Sequence, residues 1–308
     1  MSRKSRRIAV LMGGWSAERE ISLVSGNGVA DALEKAGHTV TRVDVRRDLP
    51  ALLQALTPRP DVIFNALHGR GGEDGTVQGV LDFLSVPYTH SGVLASAVAM
   101  DKAMTKQIVE RLGVRSPRGQ LVRPEDLASA PPVEPPYVIK PNNEGSSFGV
   151  RIVRKGDNLP PPGQSWSWGD RVLVEEYIPG RELTVAVVGD RALTVTEIRP
   201  ASGFFDHAAK YTAGGAAHHT PAAIPEEIAQ EAKRFAFLAH TALGCRGASR
   251  SDLRWDDSRP GTSGLYFLEI NTQPGMTPLS LVPEQAQYTG MSYGDLVSWM
   301  VENAACSA

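Results

Sequence analysis

Apolar and polar positions alternate along the chain with two periods. "RIAVLM" is apolar from Ile8 to Met12 and ends in glycines, which predicts a short buried strand. "AEREISLVSGNGVADALEKAG" then carries Ile21, Val24, Val29 and Leu33 at roughly helical spacing. "HTVTRVDV" alternates as a strand does, "LPALLQAL" is helical, and "DVIFNAL" has the length of a buried strand and runs into the glycine-rich "HGRGGEDG". Strand and helix in turn predict a parallel, doubly wound sheet with functional loops at the carboxyl ends of its strands.

The character changes near Val93. "LASAVAMDKAMTKQIVERLG" predicts one long helix, and "PEDLASAPPVEPP" a proline-rich linker. "YVIKP" and "GVRIVR" read as paired strands joined by "NNEGSSF". "RVLVEEYI" is a further strand, and "ELTVAVVGDRALTVTEI" is a hairpin turning at Gly189–Asp190. "PEEIAQEAKRFAFLAHTALG" is an amphipathic helix and "LRWDDSRPGTSGLYFLEI" a second hairpin. No internal repeat is visible.

Composition narrows the function classes. The 308 residues are 42% hydrophobic and 21% charged, enough for a sizeable core in more than one domain. A net charge of -2 gives no global attraction to nucleic acid or an anionic membrane, so neither partner is expected. No run approaches the roughly 20 apolar residues of a membrane helix. The basic start "MSRKSRR" reads as a solvated tail, because the apolar run after it stops at Gly13. Two cysteines, Cys245 and Cys306, make no disulfide framework, which fits a reduced, cytoplasmic chain.

Candidate chemistry is concentrated in a few stretches. In "FLEINTQPGMTP" strand alternation puts Glu269 and Asn271 on one side and Ile270 on the other. Asp252 in "SRSDLRW" would lie on the neighbouring strand. Two carboxylates and an amide oxygen are a hard donor set suited to magnesium, although a solvated strand face has the same spelling. In "KPNNEGSSFGV", Gly145, Ser146, Ser147 and Gly149 offer backbone N–H groups and Lys140 a positive charge, as a phosphate-covering loop would; an ordinary hairpin loop is the alternative. Lys102 on its helix says little alone. "VLMGGWSAERE" hands a strand to a helix start, a seat for an anion, yet it carries Glu18, which suits a ligand with an amine. His68 follows a buried strand and reads as structural or catalytic.

Taken in order, "GGWSAEREISLVSG", "LHGRGGEDGTVQGVLDFLSVPYTHSGVLASAVAMDK", "IKPNNEGSSFGV", "AKYTA" and "EINTQPGMTPLSLVPE" resemble the D-alanine–D-alanine ligases of the ATP-grasp superfamily over nearly the whole chain. The resemblance implies an α/β fold, α+β in its ATP-binding part, with three domains. Residues 1–95 would form a Rossmann-like domain, 96–180 a central ATP-grasp domain, and 181–308 a C-terminal ATP-grasp domain with the lid and metal site. It implies that ATP phosphorylates one D-alanine and that the amine of a second attacks the acylphosphate. Glu18 would hold the first amino group with Ser146 and Tyr211, and His68 would lie by the reacting carboxylate. Lys102, Lys140 and, from the lid "FFDHAAKYTAGGAAHHT", Lys210 would contact phosphates, with Ser147 in the covering loop. Glu175, Glu176 and Ile178 match the adenine hinge and Glu182 the ribose contact. Asp252, Glu269 and Asn271 would hold two Mg2+ (or Mn2+) ions, Arg250 and the Gly275 N–H would stabilise the oxyanion, and Ser280 and Leu281 would receive the second substrate's carboxylate. A homodimer is also implied. Two rivals stay open: a ligase joining D-alanine to D-lactate or another acceptor, and an inactive ATP-grasp binding protein.

Overall fold

The structure is a computed structural model that describes residues 5–128, 132–145, 149–157, 170–200 and 216–306. Three sheets follow one another along the chain. The first is parallel, order β2-β1-β3, from β1 (Arg7–Gly13), β2 (Thr39–Val45) and β3 (Val62–Asn65). Six successive buried residues in β1 reflect a strand covered on both faces. Ile8, Val10 and Met12 enter one core with helix α1 (Arg19–Lys35), while Ala9 and Leu11 enter another with α2 (Leu49–Ala55) and α3 (Thr76–Phe83).

α1 departs from the expected stripe. Val24 is exposed, and the buried face is Ser22, Ser25, Gly26, Val29, Ala30 and Leu33. Small residues win because the helix lies close on β1: a Cβ on Gly26 would stand 2.5 Å from the Met12 Cβ.

The single long helix expected after Val93 is two, α4 (Val93–Met100) and α5 (Lys102–Glu110). Asp101 between them is extended (φ -90°, ψ 99°), and its carboxylate caps α5 by accepting from the Met104 N–H at 2.9 Å. Apolar periodicity continues through the break, so only the capping residue marks it. The break starts α5 at Lys102, whose N–H donates to the Asn142 carbonyl.

The second sheet is antiparallel, order β4-β7-β5-β6: β4 (Gly119–Val122), β5 (Tyr137–Pro141), β6 (Arg151–Val153) and β7 (Val172–Glu176). The third, order β10-β9-β8-β11-β12, comprises β8 (Arg181–Val188), β9 (Arg191–Pro200), β10 (Ala216–His219), β11 (Ala248–Trp255) and β12 (Leu265–Asn271). Both expected hairpins are present, β8–β9 and β11–β12. β10 is formed by the end of the expected lid.

Leu183, Val185 and Val187 of β8 pack under α6 (Glu226–Ala242), and Ala99 and Val109 of α4 and α5 join that core. On the opposite side Ala186 and Val188 join Ile8 and Val10 in a core closed by α7 (Leu281–Tyr288) and α8 (Tyr293–Glu302). The first and third sheets therefore share one core, which fixes their loops against each other.

Candidate active site

Strand register assembles the centre. Arg250 stands opposite Asn271 and Asp252 opposite Glu269 across β11 and β12. All four share a face, while Ile270 enters the core. Strict alternation would put Phe267 on the Glu269 side, yet Phe267 is fully buried in the same core as Ile270. A register shift makes this possible: Leu253 pairs with Phe267, so Leu268 is the extra residue of a bulge. The bulge ends the polar face at Glu269.

Asp252 accepts from the Thr184 hydroxyl at 2.7 Å and from Arg250 Nε and Nη2 at 2.9 and 2.8 Å. Glu269 Oε2 lies 3.3 Å from Lys102 Nζ, which also donates to the Glu144 carbonyl at 2.6 Å. Asn271 Oδ1 accepts from the Gln273 N–H at 2.7 Å. Gln273 donates to the Leu67 carbonyl and accepts from Asn65 Nδ2 at 2.7 Å, which ties the turn after β12 to the carboxyl end of β3. The sequence reading passed over Gln273.

Glu18 ends the β1–α1 loop, and its N–H donates to Ser16 Oγ, whose hydroxyl donates to the His68 carbonyl at 2.7 Å. A Cβ on Gly145 would stand 3.2 Å from Glu18 Oε2, so glycine lets this loop end close over the carboxylate. His68 is buried between Glu73 Oε1 and Ser25 Oγ, each 3.3 Å from a ring nitrogen. Burial pulls its pKa down, but the bond to Glu73 and the charges of Glu73 and Glu18 outweigh that and leave it raised.

A cavity of about 320 Å³ is bounded by Glu18, His68, Arg250, Gly275, Ser280 and Leu281. A second, of about 100 Å³, is bounded by Lys140, Glu175, Glu176, Ile178 and Glu182. Lys102, Glu144, Asp252 and Glu269 line both, so the carboxylate face is the wall where the two meet. At one end of the larger cavity Ser280 occupies the N-cap position of α7, its hydroxyl turned back to accept from the Thr277 N–H at 3.1 Å, and Leu281 opens the helix.

Behind the second cavity lie three buried charges. Glu175 is 2% exposed and binds Lys140 Nζ at 2.7 Å and Lys106 Nζ. Burial alone would raise the Glu175 pKa; the two lysines overcome it and hold it below the usual range. Burial, opposed by Glu175 and reinforced by Lys140, draws Lys106 down to about 7. Lys106 carried no signal in sequence, where it is one lysine of a helix. Arg254, 3.5 Å from Glu182, donates to the Ile178 and Gly180 carbonyls at 3.2 and 3.0 Å and so ties down the turn between β7 and β8. Ser146, Ser147, Lys210 and Tyr211 lie outside the described residues.

Residues 127–302 match the model of the D-ala D-ala ligase C-terminus, and residues 49–91 that of the N-terminus. A D-alanine–D-alanine ligase of Chelativorans sp. (strain BNC1) is 55% identical over 98% of this chain and 99% of its own. One from Sphingopyxis alaskensis is 56% identical over 99% of each. Among solved structures, the D-alanine–D-alanine ligase of Bacillus anthracis complexed with ATP superposes with a TM-score of 0.80 at 30% identity, over 97% of both chains. The VanG D-Ala:D-Ser ligase of Enterococcus faecalis gives 0.79 at 27%, covering 97% of this chain and 99% of its own.

Proposed function

The chain belongs to the D-alanine–D-alanine ligase family, and we propose on that premise how its residues divide the work. It is an ATP-dependent ligase that joins two D-alanines into the dipeptide used for peptidoglycan precursors. The observation that carries the assignment of roles is the shared wall: a phosphoryl donor in the smaller cavity and a carboxylate in the larger one would meet across Lys102, Asp252 and Glu269.

The γ-phosphoryl group passes from ATP to a carboxylate oxygen of the first D-alanine, giving ADP and an acylphosphate. The amine of the second D-alanine attacks the acyl carbon and loses a proton. Collapse of the tetrahedral intermediate breaks the bond from carbon to the phosphate oxygen and releases inorganic phosphate. Glu18 holds the first ammonium group, helped by Ser146 and Tyr211, and His68, kept in place by Glu73 and Ser25, borders the reacting carboxylate. Lys102, Lys140 and Lys210 neutralise phosphate charge, and Ser147 belongs to the loop over it. Glu176, Ile178 and Glu182 receive the adenosine. Since the Glu175 carboxylate is already bound to two lysines, its own part is to anchor Lys140. Arg250 and the Gly275 N–H meet the oxyanion, and Ser280 with Leu281 the second carboxylate.

Asp252, Glu269 and Asn271 fit two Mg2+ (or Mn2+) ions by donor chemistry, being oxygen donors on one face whose carboxylates already attract Lys102 and Arg250. Ions bound there would offset the negative charge of the phosphates.

Phosphate release and product identity by mass spectrometry, measured with D-alanine alone, with D-alanine plus D-lactate and with no amino acid, test the reading. Dipeptide as the dominant product is expected; depsipeptide in the mixed reaction, or ATP hydrolysis indifferent to D-alanine, would overturn it. Glu175→Gln is expected to lower stability by about 3 kcal/mol, because it takes from Lys106 and Lys140 the buried carboxylate that both bind. It should also raise KM for ATP more than KM for D-alanine. Denaturant unfolding and the two KM values check this.

No described helix is long and apolar enough to cross a membrane. The proposed setting is a cytoplasmic homodimer, checked by sedimentation. Phe83 and Leu94, 91% and 75% exposed on α3 and α4, are apolar area that a second copy would cover.

A further inference from the structure

The strand that closes the third sheet carries a histidine that the reaction scheme above does not use. His218 on β10 pairs with Ile198 of β9, and both line the larger cavity beside Leu279, Ser280 and Leu281. Its Nδ1 lies 2.8 Å from Glu284 Oε2. The other oxygen of Glu284 accepts from the Thr220 hydroxyl at 2.5 Å, and Thr220 in turn meets Thr196 Oγ1 at 2.6 Å. Glu284 sits in the first turn of α7, its N–H donating to the Ser280 carbonyl. One helical turn thus holds Ser280 and Leu281 at the cavity and, through Glu284, fixes an imidazole beside them.

We propose that His218 is a binding residue for the carboxylate of the second amino acid, and that Glu284 is the positioning residue that sets its ring. The inference rests on the reading that this carboxylate is received at Ser280 and Leu281. Two physical points carry it. A carboxylate that accepts at Nδ1 selects the ring form with hydrogen there and fixes the ring plane. A ring that carries hydrogen on both nitrogens can offer its Nε2–H to a second carboxylate. With both of its oxygens engaged, Glu284 is itself held, so the ring has a defined place at the cavity wall. The chemical class recognised is a small α-amino acid with a free carboxylate.

The test is steady-state kinetics with the two D-alanine sites resolved by their separate concentration dependence. His218→Ala is expected to raise KM at the second site roughly tenfold or more, the scale of a hydrogen bond to a charged group. KM for ATP and for the first D-alanine should stay within about twofold, a split that general loosening of the fold would not produce. Glu284→Ala should repeat the effect, and the double variant should be no worse than either single one, the signature of two residues acting as a unit. His218→Gln, which retains a donor, should recover part of the affinity and serves as the second probe if His218→Ala does not fold. Ser280→Ala separates the two levels. Raised second-site KM in Ser280→Ala with none in His218→Ala or His218→Gln overturns the role of His218 alone. No change in any of them overturns the placement of the acceptor carboxylate, and the present inference with it.

Discussion

Glu269→Gln is expected to lower turnover by roughly a hundredfold or more while leaving the fold intact. The side chain keeps its shape and loses its charge at the one acidic position of β12 that lines both cavities and meets Lys102 at 3.3 Å. A metal ion that offsets charge on a transferring phosphoryl group supplies several kcal/mol, and each ~1.4 kcal/mol is tenfold in rate. Folding should survive because the Glu269 side chain is 26% exposed at a cavity wall and is not packed in a core. Magnesium binding followed by calorimetry should weaken in parallel, which separates loss of the ion from loss of the substrate. Near-normal turnover at ordinary magnesium would remove Glu269 from the metal set and return the strand face to a solvated one.

Much of this geometry was legible in the sequence because it is local. Alternation in "FLEIN" put Glu269 and Asn271 together, and the hairpin reading brought Asp252 alongside, as the register bears out. The bulge at Leu268 was not legible, since its only trace is that Phe267 and Ile270 are both core residues three apart. The division of the helix at Asp101 had a trace as well, an aspartate followed by a lysine inside an apolar period, but the period overrides it on paper.

Contacts made over long separations left no sequence signal. Lys106 and Glu175, or His218 and Glu284, are ordinary polar residues until the fold brings them together. The same holds for Gln273, which joins the turn after β12 to the end of β3. A shared core explains why such contacts persist: β1, β8, α7 and α8 pack as one body, and Tyr293 of α8 donates to the Met276 carbonyl at 2.7 Å. Glu18 and His68 from the first sheet are thereby held against Arg250 and Gly275 from the third.

Arg250→Ala is expected to lower turnover by about two to three powers of ten, the typical cost of one donor to a developing oxyanion, with KM for ATP little changed. Its guanidinium is held along one edge, Nε and Nη2, by the two Asp252 oxygens, so the Nη1 arm is oriented before substrate arrives and little reorganisation is needed as charge develops. That preorganisation makes the loss appear in kcat more than in binding. Asp252 keeps the Thr184 hydroxyl as a donor in the variant, so the strand face is not left without support. Arg250→Lys refines the point, because it restores the charge but not the planar fork that holds both Asp252 oxygens. If charge alone matters, the lysine variant recovers most of the rate; if aim matters, it stays near the alanine variant, and the latter is expected. Rates at saturating D-alanine and ATP, beside nucleotide affinity measured by calorimetry, decide between roles. Preserved turnover with lost nucleotide affinity would move Arg250 from the oxyanion to the phosphates of ATP.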